Sequence, residues 1–153
     1  MNGSTITRTV ALYGIVVLTM ALVIIAMDNE VASGETWYVD DSGGADFTTI
    51  QEAMDNASSG DTIQVRSGTY HENINVKASI TLIGEGPDTT TIQGNGSGDV
   101  VNISADWVNM SGFTVTGSGT GNDDAGIEIE SKYNNIENVI TSSNEMGMHI
   151  EGH

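Results

Sequence analysis

Cysteine is absent from the 153 residues, so no disulfide holds this chain together. Proline occurs once, at Pro87, which leaves the turns to glycine, asparagine, serine and threonine. Aromatic residues make up 5% of the chain, so the core must be built from aliphatic side chains and few rings are left to stack on sugars. Positive charge is equally scarce. Four Lys and Arg face 21 Asp and Glu, for a formal net charge of −17. Such a surface repels nucleic acid and anionic lipid, and it suits cations, solubility in high salt or neutral glycans.

One long apolar run is present. Arg8 precedes the stretch Val10 to Met27, and Asp28 and Glu30 end it. A positive residue, an apolar segment and small residues afterwards are the parts of a secretory signal, with cleavage after Ser33 or Gly34. Read instead as an uncleaved helical anchor, the run rises about 27 Å, close to the hydrocarbon thickness of a bilayer. Arg8 on its near side then favours an inward N-terminus. Both readings export the body of the chain, to secretion or to an extracytoplasmic cell surface. Membrane contact is expected only through residues 10–27, and only if they are retained. The expected division is residues 1–34 as signal or anchor, 35–60 as an N-terminal strand and capping helix, and 61–153 as repeated coils.

The helix is readable from its cap. Thr49 and Glu52 have capping-box spacing, and Ile50, Ala53, Met54 and Ala57 follow on one apolar face before Ser58-Ser59-Gly60 stops it. Beyond Gly60 the apolar period changes to two, in pieces of three residues: Ile63-x-Val65, Ile74-x-Val76, Ile80-x-Leu82, Val101-x-Ile103, Val108-x-Met110, Phe113-x-Val115, Ile127-x-Ile129 and Met148-x-Ile150. Strands this short rarely form stable hairpins by themselves, and no series of Asn-Gly or Asp-Gly turns reverses the chain. The pieces repeat instead. Val101-Asn-Ile-Ser104 recurs 26 residues later as Ile127-Glu-Ile-Glu130, with Trp107 falling on Tyr133, Asn109 on Asn135 and Phe113 on Val139. Gly126-Ile-Glu-Ile-Glu130 recurs 21 residues later as Gly147-Met-His-Ile-Glu151. Repeats of 21 to 26 residues with three short strands each describe coils of a solenoid. The expected fold is all-β: a single-stranded right-handed parallel β-helix of about four coils, with a short N-terminal capping α-helix, preceded by the signal or anchor helix. The helix at Ile50–Ala57 is placed to plug the first coil, and the sequence stops at Glu151-Gly-His153, one strand into a new one. This suggests a truncated chain or one that continues, with its C-terminal end open.

Trp37-Tyr-Val-Asp-Asp41, Asp46-Phe-Thr-Thr-Ile-Gln-Glu-Ala53, Gly60-Asp-Thr-Ile-Gln-Val65, Ser67-Gly-Thr-Tyr-His-Glu-Asn73 and Ile80-Thr-Leu-Ile-Gly-Glu-Gly86 resemble the opening of proteins of the pectin lyase-like superfamily, and of pectin methylesterases in particular. The later coils, Gly126-Ile-Glu-Ile-Glu130 through Asn135-Ile-Glu-Asn-Val-Ile140, look more like NosD-type carbohydrate-binding and sugar-hydrolase repeats. The resemblance is specific for fold and poor for activity, because one scaffold carries many functions. A pectin methylesterase implies two aspartates, in Gln-Asp-Thr-Leu-type and Val-Asp-Phe-Ile-Phe-Gly-type segments, and an arginine. No stretch matches either segment, and Arg66 is the only arginine after the apolar run. No catalytic residue is therefore assigned.

Stacking the repeats places Asn102, Glu128 and His149 in one outward column, and Ser104, Glu130 and Glu151 in the next. Carboxylates about 5 Å apart on adjacent coils repel unless a cation bridges them or one is protonated. Glu128, Glu130 and Glu151 are thus the candidate cation site, with oxygen ligands suited to Ca2+, against the alternative of a solvated acidic face. Similar spacing also separates retaining-glycosidase carboxylates, although no general-acid environment is visible in the sequence. The NosD likeness raises copper handling, for which Met146, Met148, His149 and His153 supply soft ligands. Alternation, however, points Met148 inward and His149 outward. Asp123-Asp124, in the Gly-rich loop Gly117–Gly126, opposes an anion, so that loop reads as an insertion between coils. Asn56, Asn95, Asn102 and Asn109 lie in Asn-x-Ser sequons, and Asn95, Asn102 and Asn109 are the exposed glycosylation candidates.

Three functions follow as expectations. The first is a non-enzymatic cell-surface or secreted module that binds polysaccharide or glycan, or is structural in the envelope. The second is the N-terminal part of a polysaccharide-active enzyme (lyase, esterase or hydrolase) whose site lies beyond His153. The third is a NosD-like periplasmic copper-handling protein.

Overall fold

The computed structural model describes residues 34–151. The expected signal or anchor helix at 10–27 and the terminal His153 lie outside the described residues. Among the described residues, no helix is long and apolar enough to cross a membrane.

The short period-two pieces become strands that pair only in parallel, each with the strand one circuit away. β1 (Thr36–Val39) leads into α1 (Ile50–Asn56), and the first coil follows as β2 (Thr62–Val65), β3 (Gly68–His71) and β4 (Ile74–Val76). β5 (Thr81–Gly84), β6 (Thr90–Gln93) and β7 (Val101–Ile103) form the second coil. The third is β8 (Asn109–Thr116) and β9 (Ala125–Ile129), and the fourth is β10 (Asn135–Ser142) and β11 (Met146–Ile150). One sheet runs through β1, β2, β5, β8, β6 and β3, with β10 on β8; the other stacks β4, β7, β9 and β11. This is a parallel β-solenoid of about four turns with one short helix. β8 spans two columns, since its first half pairs with β5 and its second with β6.

The repeat offsets are the register. Val101 pairs with Ile127 and Ile103 with Ile129; Met148 then pairs with Ile127 and Ile150 with Ile129. Inward side chains a full circuit apart therefore touch, and Ile74, Val101 and Ile127 are at most 1% exposed. Burying each contributes about 2 kcal/mol, which is how a chain without cysteine holds many short strands. The same columns are uncovered on the fourth coil, where Met148 is 42% and Ile150 61% exposed.

α1 packs against β1, β2 and β4 through buried Ile50, Ala53 and Met54, and so lies over the first coil as its pattern predicts. Its cap is only half the expected box. Thr49 Oγ1 accepts the Glu52 amide at 3.3 Å, but the remaining first-turn donors go to Glu72, whose two carboxylate oxygens accept the Ile50 and Gln51 amides at 2.8 and 2.9 Å. A carboxylate from β-helix loop sequence thereby ties the plug to the coil it covers.

Tight corners need unusual backbone. Gly112, at φ +81, lies where β8 bends between its two columns. A Cβ there would meet the Gly84 carbonyl of the coil below, and one on Gly84 would meet the Gly112 carbonyl. Trp107, Tyr133, Asn138 and Ser143 also have positive φ, a region that favours asparagine or glycine over bulky residues. The loop expected at Gly117–Gly126 spans only residues 117–124, because Ala125 and Gly126 belong to β9; it is bonded to the coil beneath through the Gly119 amide and Gly98 carbonyl (2.9 Å), while the Asp124 carboxylate accepts the Gly121 amide at 2.7 Å.

Candidate functional site

Among the described residues, two surface clefts on the solenoid gather polar side chains. The first lies on the outside of the β4-β7-β9-β11 sheet. The register sets Asn102 beside Glu128 and Glu128 beside His149, the column expected from the repeats. Glu128, Glu130 and Glu151 all line one cleft of about 280 Å3, together with Asp99, Asp123 and His149.

Glu128 departs from the expectation of a solvated outward carboxylate: it is only 5% exposed. Neighbouring-coil side chains and the loop residues Asp99 and Asp123 flank it, so outward direction does not mean exposure here. Burial raises its pKa above the ordinary value of 4.5, opposed by its hydrogen bond with His149. His149 Nδ1 lies 2.8 Å from Glu128 Oε2, and with a proton on Nδ1 the imidazole donates. Nearby Asp99 and Glu151 push the pKa in the same direction as burial. Chemically, this is a shielded carboxyl whose pKa burial moves upward, hydrogen-bonded to an imidazole. Among the described residues, no group of three or more His, Asp or Glu is arranged to hold a metal ion. The three glutamates share the cleft with Asp99, Asp123 and His149.

The second cleft, of about 340 Å3, runs along the outside of β1, β2 and β5 and is lined by Tyr38, Gln64, Arg66, Ile83 and Glu85 among others. Tyr38, Gln64 and Ile83 are one column by register, and Tyr38 and Ile83 are 43% and 36% exposed. Arg66 Nη1 lies 3.0 Å from Asp40 Oδ2. Hydrogen bonds from the Ser42 side chain and backbone, with a smaller effect of Arg66, hold the Asp40 carboxyl below its ordinary value. Ser67 does the same for Glu85 through its hydroxyl at 2.6 Å and amide at 3.1 Å. This groove was not found from sequence. Its signal was the outward alternate positions of the first strands, which the inward apolar pattern leaves unspecified.

The sequon residues separate. Asn95 and Asn109 are exposed, while Asn102 is half-buried in β7.

The pattern defining the family described as Pectinesterase matches residues 37–140. A probable pectinesterase/pectinesterase inhibitor 12 from Arabidopsis thaliana is 36% identical over 100 residues, covering 61% of this chain and 17% of that protein. The solved pectin methylesterase from carrot superposes with a TM-score of 0.59 at 19% identity, over 71% of this chain and 39% of the other. PemA from Erwinia chrysanthemi, another pectin methylesterase, gives 0.51 at 15% identity, over 73% and 47%. At these identities the two structures bear on the fold alone, and the chain spans less than half the length of each of the three. The family match, which runs from β1 into β10, covers most of the sequence: the chain belongs to the pectinesterase family.

Proposed function

We propose that this chain supplies coils of an exported, pectin-active β-helix, and that the described residues hold the polysaccharide rather than react with it. The observation that supports this is the extent of the family match, Trp37 to Ile140, with none of its aspartates in the two segments that a pectin methylesterase implies. The groove of Tyr38, Gln64, Ile83 and Arg66 suits the task. It is an open strip across β1, β2 and β5 with mixed polar and apolar side chains, which can meet both the hydroxyls and the apolar faces of sugar rings. Export is supported by Arg8 ahead of the apolar run Val10 to Met27.

The test is calorimetric titration of the full chain with galacturonan oligosaccharides of low and high methyl esterification, with methanol release followed in parallel. Binding without methanol release is expected. Absence of binding at millimolar oligosaccharide overturns the reading, and methanol release moves the reaction into these coils.

A second reading is favoured by Glu128 alone. A buried carboxyl with raised pKa in a cleft, next to an imidazole, has the properties of a general acid. Under that reading, any bond cleavage by this chain is abolished in Glu128→Gln, and cleavage that survives the substitution removes it.

A further inference from the structure

The corner that joins the β4-β7-β9-β11 sheet to the next coil carries a feature outside both clefts. Trp107 and Tyr133, equivalent residues of successive coils, stack with ring centroids 4.3 Å apart and planes 16° from parallel. Both are exposed, at 62% and 66%. Both also have φ near +60°, where asparagine or glycine would fit with less strain.

The backbone around them is hydrogen-bonded from coil to coil. The Trp107 amide donates to the Lys132 carbonyl at 3.1 Å, and the Lys132 amide donates to Asp106 Oδ1 at 2.8 Å. The Val108 amide donates to Asn134 Oδ1 at 2.8 Å. These bonds fix the backbone from which the two rings project, which lowers the entropy lost on binding.

Among the described residues, no ring continues the stack on the side of the preceding coil. The register that pairs Thr81 with Asn109 brings Ser79 of the preceding coil beside Trp107, and serine has no ring to cover the indole. Charge is distributed unevenly as well. Of the three basic residues among those described, Lys77 and Lys132 belong to this same turn in their respective coils, while the third, Arg66, is paired with Asp40.

An exposed, strained aromatic stack in a turn that carries Lys77 and Lys132 beside the single carboxylate Asp106 has the chemistry of a platform for an acidic sugar. The ring face takes the apolar face of a pyranose, and an ammonium takes its carboxylate. We infer that the Trp107–Tyr133 corner is a binding site for uronate residues of a polysaccharide. This rests on the polysaccharide reading above and adds a second contact, separate from the groove that holds Tyr38 and Arg66.

Hexagalacturonate and a neutral hexasaccharide are the probes, read by fluorescence and calorimetry on the full chain. Trp107→Ala and Tyr133→Ala are each expected to weaken hexagalacturonate binding at least ten-fold. Lys77→Gln combined with Lys132→Gln should weaken it several-fold and flatten its salt dependence. Trp107→Asn, which suits the left-handed backbone, should fold at least as stably as the natural chain and bind as poorly as Trp107→Ala. Unchanged affinity in the aromatic variants, with binding lost in Tyr38→Ala, overturns this inference and leaves the polysaccharide reading standing. No binding of hexagalacturonate by the natural chain overturns both. Equal affinity for the neutral sugar overturns the uronate assignment, and a less stable Trp107→Asn shows that the ring is there for packing.

Discussion

His149 Nδ1 lies 2.8 Å from Glu128 Oε2, although 21 residues separate them in sequence. One circuit of the solenoid makes them neighbours, and burial makes the pair consequential. The folded pKa of Glu128 is raised above its unfolded value. The stability it contributes is therefore complete below pH about 4.5 and is lost as pH rises through the folded value. Thermal melts between pH 4 and 8 should show Glu128→Gln losing less stability over this range than the natural chain. His149→Ala removes the donor that holds the pKa down, and carbon-detected NMR titration of Glu128 should then find its midpoint higher still. Parallel melting curves for Glu128→Gln and the natural chain would contradict the burial argument.

Asp61 behaves in the opposite sense. Its carboxylate accepts the Glu35 amide at 2.7 Å, the Ser58 amide at 2.8 Å and the Trp37 indole N–H at 3.3 Å. These bonds, the Ser58 amide first, hold its pKa below the ordinary 3.8 against the effect of burial. Its stabilisation is present above that value and disappears as pH falls through the lowered one. Asp61→Ala leaves three donors unsatisfied around the first strands and should cost about 2–4 kcal/mol in urea unfolding at neutral pH. The variant should also lose less stability than the natural chain on acidification below pH 4.

Gly84 and Gly112 meet backbone to backbone where β5 and β8 stack. A methyl group on Gly84 runs into the Gly112 carbonyl, and main chain cannot step aside as a flexible side chain can. Gly84→Ala should therefore destabilise by on the order of 3 kcal/mol. By contrast, alanine at Gly43 meets no neighbouring atom, and its cost should be limited to that of its positive φ (+87°), about 1 kcal/mol. Comparing the two unfolding midpoints separates contact from conformation.

Among the described residues, β10 pairs only with β8 and β11 only with β9, and Met148 and Ile150 of β11 stand exposed. Strand edges of this kind pair with other chains. Sedimentation of the 153-residue protein should show concentration-dependent association. Ile150→Lys should shift it towards monomer with a change in melting temperature of only a degree or two, because Ile150 is 61% exposed. Association unaffected by that substitution would place the contact elsewhere.

The repeat spacing by itself determined the architecture. Parallel stacking with period-two strands makes register a property of sequence offset, so Val101 over Ile127 and Glu128 beside His149 could be read directly from the chain. The capping helix was legible for a similar reason, since its apolar face and Thr49 cap are local. β3, β6 and the groove of Tyr38, Gln64 and Ile83 were not, because their polar or outward positions carry no periodic signal. Tertiary structure alone decided that Glu72 would cap α1, that Asp61 would collect three donors, and that Glu128 would be buried while Glu130 stayed exposed. Those outcomes depend on how loops of unequal length fold over the stacked strands, and alternation records only the direction a side chain leaves the backbone. What then covers it is settled by residues a full coil away.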